Sequence, residues 1–200
     1  MSTAKNKIQD QQRILTPEFR VSFPHLFKPS GFKNSTPKYS VTMLFPKGSD
    51  GVKLIQQAIR AAKIAEFGPD KSRWPDIESC VVDGDNPKYA DKEGYKGHWA
   101  IKAISNENSK PGLVDQNVEP ILDQAKFYPG CYARAYVFAR VWEFGGRYGV
   151  HFILDHVQKT KDGKSFSGKK PVEQVFQPIA VEEENFDSDD GVDVDEMDFT

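Results

Sequence analysis

Residues 131–142 alternate with period two, and no other stretch constrains the fold as tightly. Cys131, Ala133, Ala135, Val137, Ala139 and Val141 are small or apolar, while Tyr132, Arg134, Tyr136, Phe138, Arg140 and Trp142 are aromatic or basic. Successive side chains of a β-strand point to opposite faces, so this run predicts a strand with two unlike surfaces. One is smooth and suits a core. The other interleaves rings with guanidinium groups. Tyr128-Pro129-Gly130 supplies a turn before the strand, and Gly145-Gly146 reads as a hairpin turn after it. Arg147 to Val157 then returns as a second strand, with Tyr148, Val150, Phe152 and Leu154 on one side.

Rings beside positive charge are what a surface needs to hold unpaired bases along a phosphate backbone. Aromatic residues on strands also serve as core, because they combine β-propensity with large apolar area. Arg134 and Arg140 weigh against that for the face as a whole, since arginine is seldom buried without a partner. The face is expected to meet water or a ligand.

Charge is distributed unevenly. The chain carries 27 Lys and Arg against 29 Asp and Glu. Ten of the acidic groups fall in residues 182–200, which contain no Lys or Arg, leaving residues 1–181 with a net charge of +8. A basic body with an acidic tail points to nucleic acid and to a tail that competes with it or recruits partners. A solubilising disordered end is the plainer account of such a tail. No apolar run approaches the ~20 residues of a membrane span, and the first residues lack the apolar core of a secretory signal. Two cysteines, Cys80 and Cys131, are too few for a disulfide framework. A reducing cytosol is expected.

Residues 1–17 are polar and read as a flexible arm. Phe19, Val21 and Phe23 alternate with Arg20 and Ser22 in a strand ending near Pro24, and Leu26 to Pro37 reads as a loop. Tyr39, Val41, Met43 and Phe45 form a second strand closed by Pro46. Ile55, Ala58, Ile59 and Ala62 then fall at helical spacing, with Ser49 or Asp50 as N-cap and Phe67-Gly68-Pro69 as the stop. Residues 69–97 are loop-rich. His98 to Ser105 is a strand with Trp99, Ile101 and Ala103 on one face and Lys102 on the other. About five strands in mostly antiparallel order with one covering helix fit a small barrel.

A metal-dependent nuclease is the rival enzyme class. Asp76, Asp83, Asp85, Asp115 and Asp123 could supply oxygen ligands. The only acidic-x-Lys, Asp162-Gly163-Lys164, sits in a turn, and Asp83-Gly84-Asp85 lacks the glycine of a calcium loop at its sixth position, Lys88. Asp83-Gly84-Asp85 reads instead as a turn whose carboxylates accept backbone N–H bonds. The cysteines and His25, His98, His151 and His156 lack the spacing of a structural zinc site. A third class, an assembly module with no nucleic acid, leaves the rings and arginines unexplained.

Arg20-Val-Ser-Phe-Pro-His25, Lys38-Tyr-Ser-Val-Thr42, Asp83-Gly-Asp85, Gly94-Tyr-Lys-Gly-His-Trp99 and Gly130-Cys-Tyr-Ala-Arg-Ala135 follow in order along the chain. Taken as an ordered set, they resemble a family of bacteriophage single-stranded DNA-binding proteins first catalogued as a domain of unknown function. The resemblance covers residues 18–170. It implies an OB-fold barrel and a DNA-coating role in phage replication or recombination, in the cytoplasm of an infected bacterial host. The tail, Asp195, Glu196, Met197, Asp198 and Phe199 before Thr200, is similar to the acidic ends by which other single-strand binders capture replication partners. Thr200 departs from the usual final aromatic.

The expected architecture is thus mainly β: an OB-fold-like antiparallel barrel over 18–170 with one helix, an arm over 1–17, and a linker with a disordered acidic tail over 171–200. The expected function is binding of single-stranded DNA, with no catalysis, no metal and no cofactor. Tyr132, Tyr136 and Trp142 would stack bases, and Arg134, Arg140, Lys102 and Lys38 would neutralise phosphates. Phe138, Arg20 and Arg147 are also expected at the nucleic-acid interface. Self-association is left open.

Overall fold

The outward residues of the 131–142 run owe their positions to a closed barrel. The structure, a computed structural model, describes residues 11–31, 33 and 35–166. Its strands are β1 (Arg13–Leu15), β2 (Phe19–Ser30), β3 (Lys38–Pro46), β4 (Ile77–Glu78), β5 (Val81–Asp83), β6 (His98–Asn106), β7 (Gly112–Val114), β8 (Tyr132–Phe144) and β9 (Arg147–Lys161). One long helix, α1 (Asp50–Phe67), follows β3. β2, β3, β6, β9 and β8 are neighbours in that order, and β8 pairs back onto β2 to close the ring. This is the expected five-stranded OB-type barrel. Every joint of the ring is antiparallel except β6–β9, which is parallel.

The period-two pattern of β8 decides its inside and outside. Cys131, Ala133, Ala135, Val137 and Ala139 are fully buried, and Phe152, Leu154 and Val150 of β9 bury against them. Small residues on β8 leave room for α1, which packs over this strand with Ile55, Ala58 and Ala62 inward. The helix ends as expected. Gly68 takes φ 83° as C-cap, in the left-handed region that favours glycine. Cys131 is core, and burial pushes its thiol up to about 11. Gly145 and Gly146, both at positive φ, make the β8–β9 hairpin turn.

Three expectations are corrected. The stretch read as a flexible arm contains β1, whose Ile14 is buried and pairs with Val137. Its neighbours Gln12 and Thr16 are buried too, but as polar groups satisfied by β8. Gln12 Nε2 donates to Ala139 O, and Thr16 Oγ1 accepts from Ala135 N at 2.9 Å. A buried face built partly of Gln and Thr carries no hydrophobic period to read. Residues 1–10 lie outside the described residues.

The second correction concerns β2, which does not stop at Pro24 but runs on to Ser30, so part of the expected loop from Leu26 is strand, with Leu26 buried. Third, Phe23 does not share the core face of Phe19 and Val21. The pairing with β3 shifts register between Ser22 and His25, and Phe23 takes φ 45°. A bulge turns the side chain that follows to the other face. Phe23 is consequently exposed.

Candidate nucleic-acid interface

The outward face of β8 is not one surface, because β8 has different neighbours along its length. β1 and β2 pair with its first half, whereas β9 runs beside it to the hairpin tip. The expected residues therefore fall into two groups.

Toward the hairpin, Arg140, Trp142 and Lys38 meet around a recess of about 540 Å³, whose walls also include His151, Ile153, Ile104, residues 105, 106 and 109, and Asp155, the one carboxylate among them. Register explains the convergence. Arg140 lies opposite His151, Phe138 opposite Ile153, Ile153 beside Ile104, and Ile104 opposite Ser40. Carrying the β6–β9 register back two residues sets Lys102 beside His151, on the same outward row. The indole of Trp142 lies on Gly149, where any Cβ would overlap it. A glycine is thus needed under the ring, which is held as a half-buried plate at the recess edge. Among the described residues, Lys38, Lys102 and Arg140 make no ion pair, so their charge is available to a ligand. His151 is held below its usual value first by burial and then by Lys38 and Arg140, which oppose a third positive charge there.

At the other end, most of the same residue types are already engaged, Arg20 and Arg134 by neutral oxygens rather than by carboxylates. Arg20 donates to Gly130 O at 2.9 Å and to Lys164 O at 2.6 Å, stapling the chain after β9 to the turn before β8. Its guanidinium also lies 5.1 Å from the Tyr132 ring centre, and Lys161 Nζ lies 4.4 Å from the same ring. Lys161 pairs with Glu18 at 2.7 Å. Arg134 donates to Gln158 Oε1 at 2.6 Å. Tyr136 is open to solvent between Leu15 and His156. Phe138, farther along, sits under Arg13, which Asp155 holds at 2.8 Å. Arg147 at the hairpin tip pairs with Glu78.

Of the ten residues expected at the interface, the structure brings together Lys38, Arg140 and Trp142, with Lys102 on the adjoining row. It holds Arg20, Arg134, Tyr132 and Arg147 in other contacts. His151 was not anticipated. Its signal lay in β9, where it alternates out of phase with the buried Val150 and Phe152.

The acidic residues do not converge. Among the described residues, no three of His, Cys, Asp and Glu form a group that could hold a metal ion. Asp83 and Asp85 instead hold Lys47, at 2.5 and 2.7 Å, and accept from the backbone N–H groups of Asp85 and Gly97. Hydrogen bonds from Lys47 hold both carboxylates below their usual range. Gly84 between them is packed so tightly on the Tyr95 and His98 carbonyls that a Cβ would not fit. Asp83-Gly84-Asp85 is the turn that its sequence suggested.

The tail residues Asp195, Glu196, Met197, Asp198 and Phe199 lie outside the described residues. No described helix is long and apolar enough to cross a membrane.

Comparison with known proteins places these features among relatives. A family model described as the ssDNA-binding protein of Enterobacter phage Enc34 matches residues 12–187. The solved structure of the single-stranded DNA-binding protein from bacteriophage Enc34 in complex with ssDNA is 27% identical, with a TM-score of 0.66 over 78% of this chain and 89% of that one. Another structure of the Enc34 protein is 26% identical, with a TM-score of 0.62 over 82% of this chain and 88% of that one. The single-stranded DNA-binding protein encoded by bacteriophage T7 shares the fold at 14% identity and a TM-score of 0.51, over 80% of this chain and 97% of that one. A search of curated proteins gives no match.

Proposed function

This chain belongs to the family of the Enterobacter phage Enc34 ssDNA-binding protein, and on that premise we propose that it coats single-stranded DNA in phage replication and recombination, without sequence preference and without catalysis. The observation that carries the reading is the recess where Lys38, Arg140 and Trp142 meet. It combines cations with no ion pair among the described residues and an indole held flat over Gly149. Cations there neutralise phosphates, and the indole stacks on a base. Every base has a face to stack on, so the site accepts any sequence. Lys102 continues the basic row across the barrel.

Tryptophan emission during titration with a poly-thymidine oligonucleotide, against a duplex of equal length, tests this directly. Quenching by the single strand, a weaker response to duplex and affinity falling with salt are expected. No response to either would overturn the reading. Loss of the oligonucleotide on adding magnesium would favour the nuclease.

The acidic run over 182–200 is assigned two tasks. It competes with DNA for the basic face, and its end, Asp195 to Phe199, recruits replication or recombination proteins. The net +8 of residues 1–181 against ten acidic groups supports the competition. Deleting 182–200 should tighten DNA binding, most at low salt where screening is weakest. Equal affinity of both forms at every salt concentration would remove this part.

A further inference from the structure

A second recess, of about 310 Å³, lies where β2 bulges, lined by Ser22, Phe23, Tyr95, Pro129 and Phe166 and by the run Asp91, Lys92 and Glu93. From it the geometry points to a slot that takes one unstacked base of the bound strand, against Phe23 and under Lys92. This rests on the reading that the barrel binds single-stranded DNA, and it adds a site to that reading.

Four observations carry it. First, Phe23 is a bulky residue at φ 45°, half-exposed. The left-handed region is unfavourable for such a side chain, and conformations of this kind persist where the surroundings impose them, often at ligand sites. Here the strain turns a ring out of the core. Second, Lys92 Nζ stands 5.1 Å from the Phe23 ring centre, 5.0 Å from Tyr89 and 5.5 Å from Tyr95. A cation over rings at a mouth open to solvent is suited to a base and its neighbouring phosphate.

Third, the walls are preformed. Tyr95 is buried, stacks on Tyr89 at 5.7 Å, and shares hydrogen bonds with the Ser22 and Thr42 side chains. Phe166 is fixed on three sides. Its N–H donates to Pro129 O at 2.9 Å, Arg20 lies 4.4 Å from its ring centre, and its ring rests on Gly94, where a Cβ would overlap it. A slot that does not have to order its walls on binding loses less affinity to that ordering.

Fourth, the slot continues the basic row. Arg140 lies opposite His151, Lys102 falls beside His151, Thr42 lies opposite Lys102, and Ser22 opposite Thr42. Phe23 is the next residue. Tyr95 covers Ser22 and Thr42 on this row, so a strand leaving the Trp142 recess past Lys102 runs beside Tyr95 and arrives at Phe23. Asp91 and Glu93 disfavour a phosphate inside the recess, so what enters is the neutral ring, with the backbone left outside near Lys92.

The test uses the full chain, Phe23→Asn and Lys92→Gln, with the shortest poly-thymidine oligonucleotide bound at full affinity and a single abasic site walked along it. Asparagine adopts the left-handed region more readily than phenylalanine, so Phe23→Asn removes the ring while easing the backbone. Wild type is expected to lose about ten-fold in affinity when the abasic site falls at one position near an end. Phe23→Asn should bind the intact oligonucleotide about ten-fold more weakly and show no further loss at that position. Lys92→Gln, a surface change, should weaken binding and lower the salt dependence. Wild-type binding with Phe23→Asn unchanged and the same abasic profile would overturn the slot and leave the DNA reading standing. A wild type that does not bind the oligonucleotide would overturn both.

Discussion

Arg20 and Arg140 both point outward from the same barrel, each near an aromatic ring, and they do different work. Arg20 gives its Nε and Nη2 N–H groups to the carbonyls of Gly130 and Lys164. Arg140 lines an open recess with Lys38 and makes no ion pair among the described residues. The same holds for the rings beside them. Tyr132 already carries two cations, whereas Trp142 lies over a glycine at the edge of a recess. Residue type sets what a side chain can bind, and its neighbours decide whether that capacity is already used. One end of β8 is mortar for the barrel and the other is surface for a ligand.

The sharpest way to break this contrast is to remove one ring from each end. Trp142→Ala should weaken single-stranded DNA binding by about 1–3 kcal/mol, roughly 5- to 150-fold. Tyr132→Ala should change it by less than about 0.5 kcal/mol, because its ring is already stacked with cations. Fluorescence anisotropy with a labelled thymidine oligonucleotide would measure both. Equal losses would mean that DNA runs along the whole of β8.

The next effect separates the arginines by what they hold. Arg20→Ala removes charge-assisted bonds to two carbonyls and should cost about 2 kcal/mol of stability in urea denaturation. Arg140→Ala should leave stability within about 0.5 kcal/mol, yet flatten the salt dependence of DNA binding by about 0.7 in log–log slope, one single-strand phosphate contact. If Arg20→Ala instead flattened the slope at unchanged stability, the assignment of the two ends would be reversed.

Much of the fold was legible because alternation and burial share one cause. Every small residue of the run from Cys131 to Ala139 is core, and the helix runs from its predicted cap to its glycine stop. What escaped was structure that the hydrophobic pattern does not encode. β1 is hidden because its buried flanks are Gln12 and Thr16, whose packing rests on hydrogen bonds to β8. Phe23 reads as core because a bulge changes the phase of a strand without marking the sequence. The site was half legible. Alternation found the outward face of β8, but which outward cations are free depends on residues far along the chain, such as Lys164 for Arg20 and Gln158 for Arg134. His151 was missed because its significance comes from lying opposite Arg140.

His151 supplies the smallest effect, and the one most specific to the open end. Burial, then Lys38 and Arg140, hold its pKa below the ordinary 6.5. Lys102 stands on the adjoining row, and Asp155 at the recess wall is engaged by Arg13. A histidine depressed on folding adds stability that is present above pH 6.5 and lost as pH falls through and below that value. Bound DNA changes the balance, because phosphates beside Lys38 and Arg140 cancel the charge that opposed protonation. The bound state then takes up more proton than the free state, so affinity should rise as pH falls below 6.5, by a factor on the order of two. His151→Gln should abolish that rise while binding normally at pH 8. Anisotropy titrations between pH 5.5 and pH 8 at fixed salt would show it. A rise that survives in His151→Gln would place the proton uptake outside this recess and weaken the division between the two ends of β8.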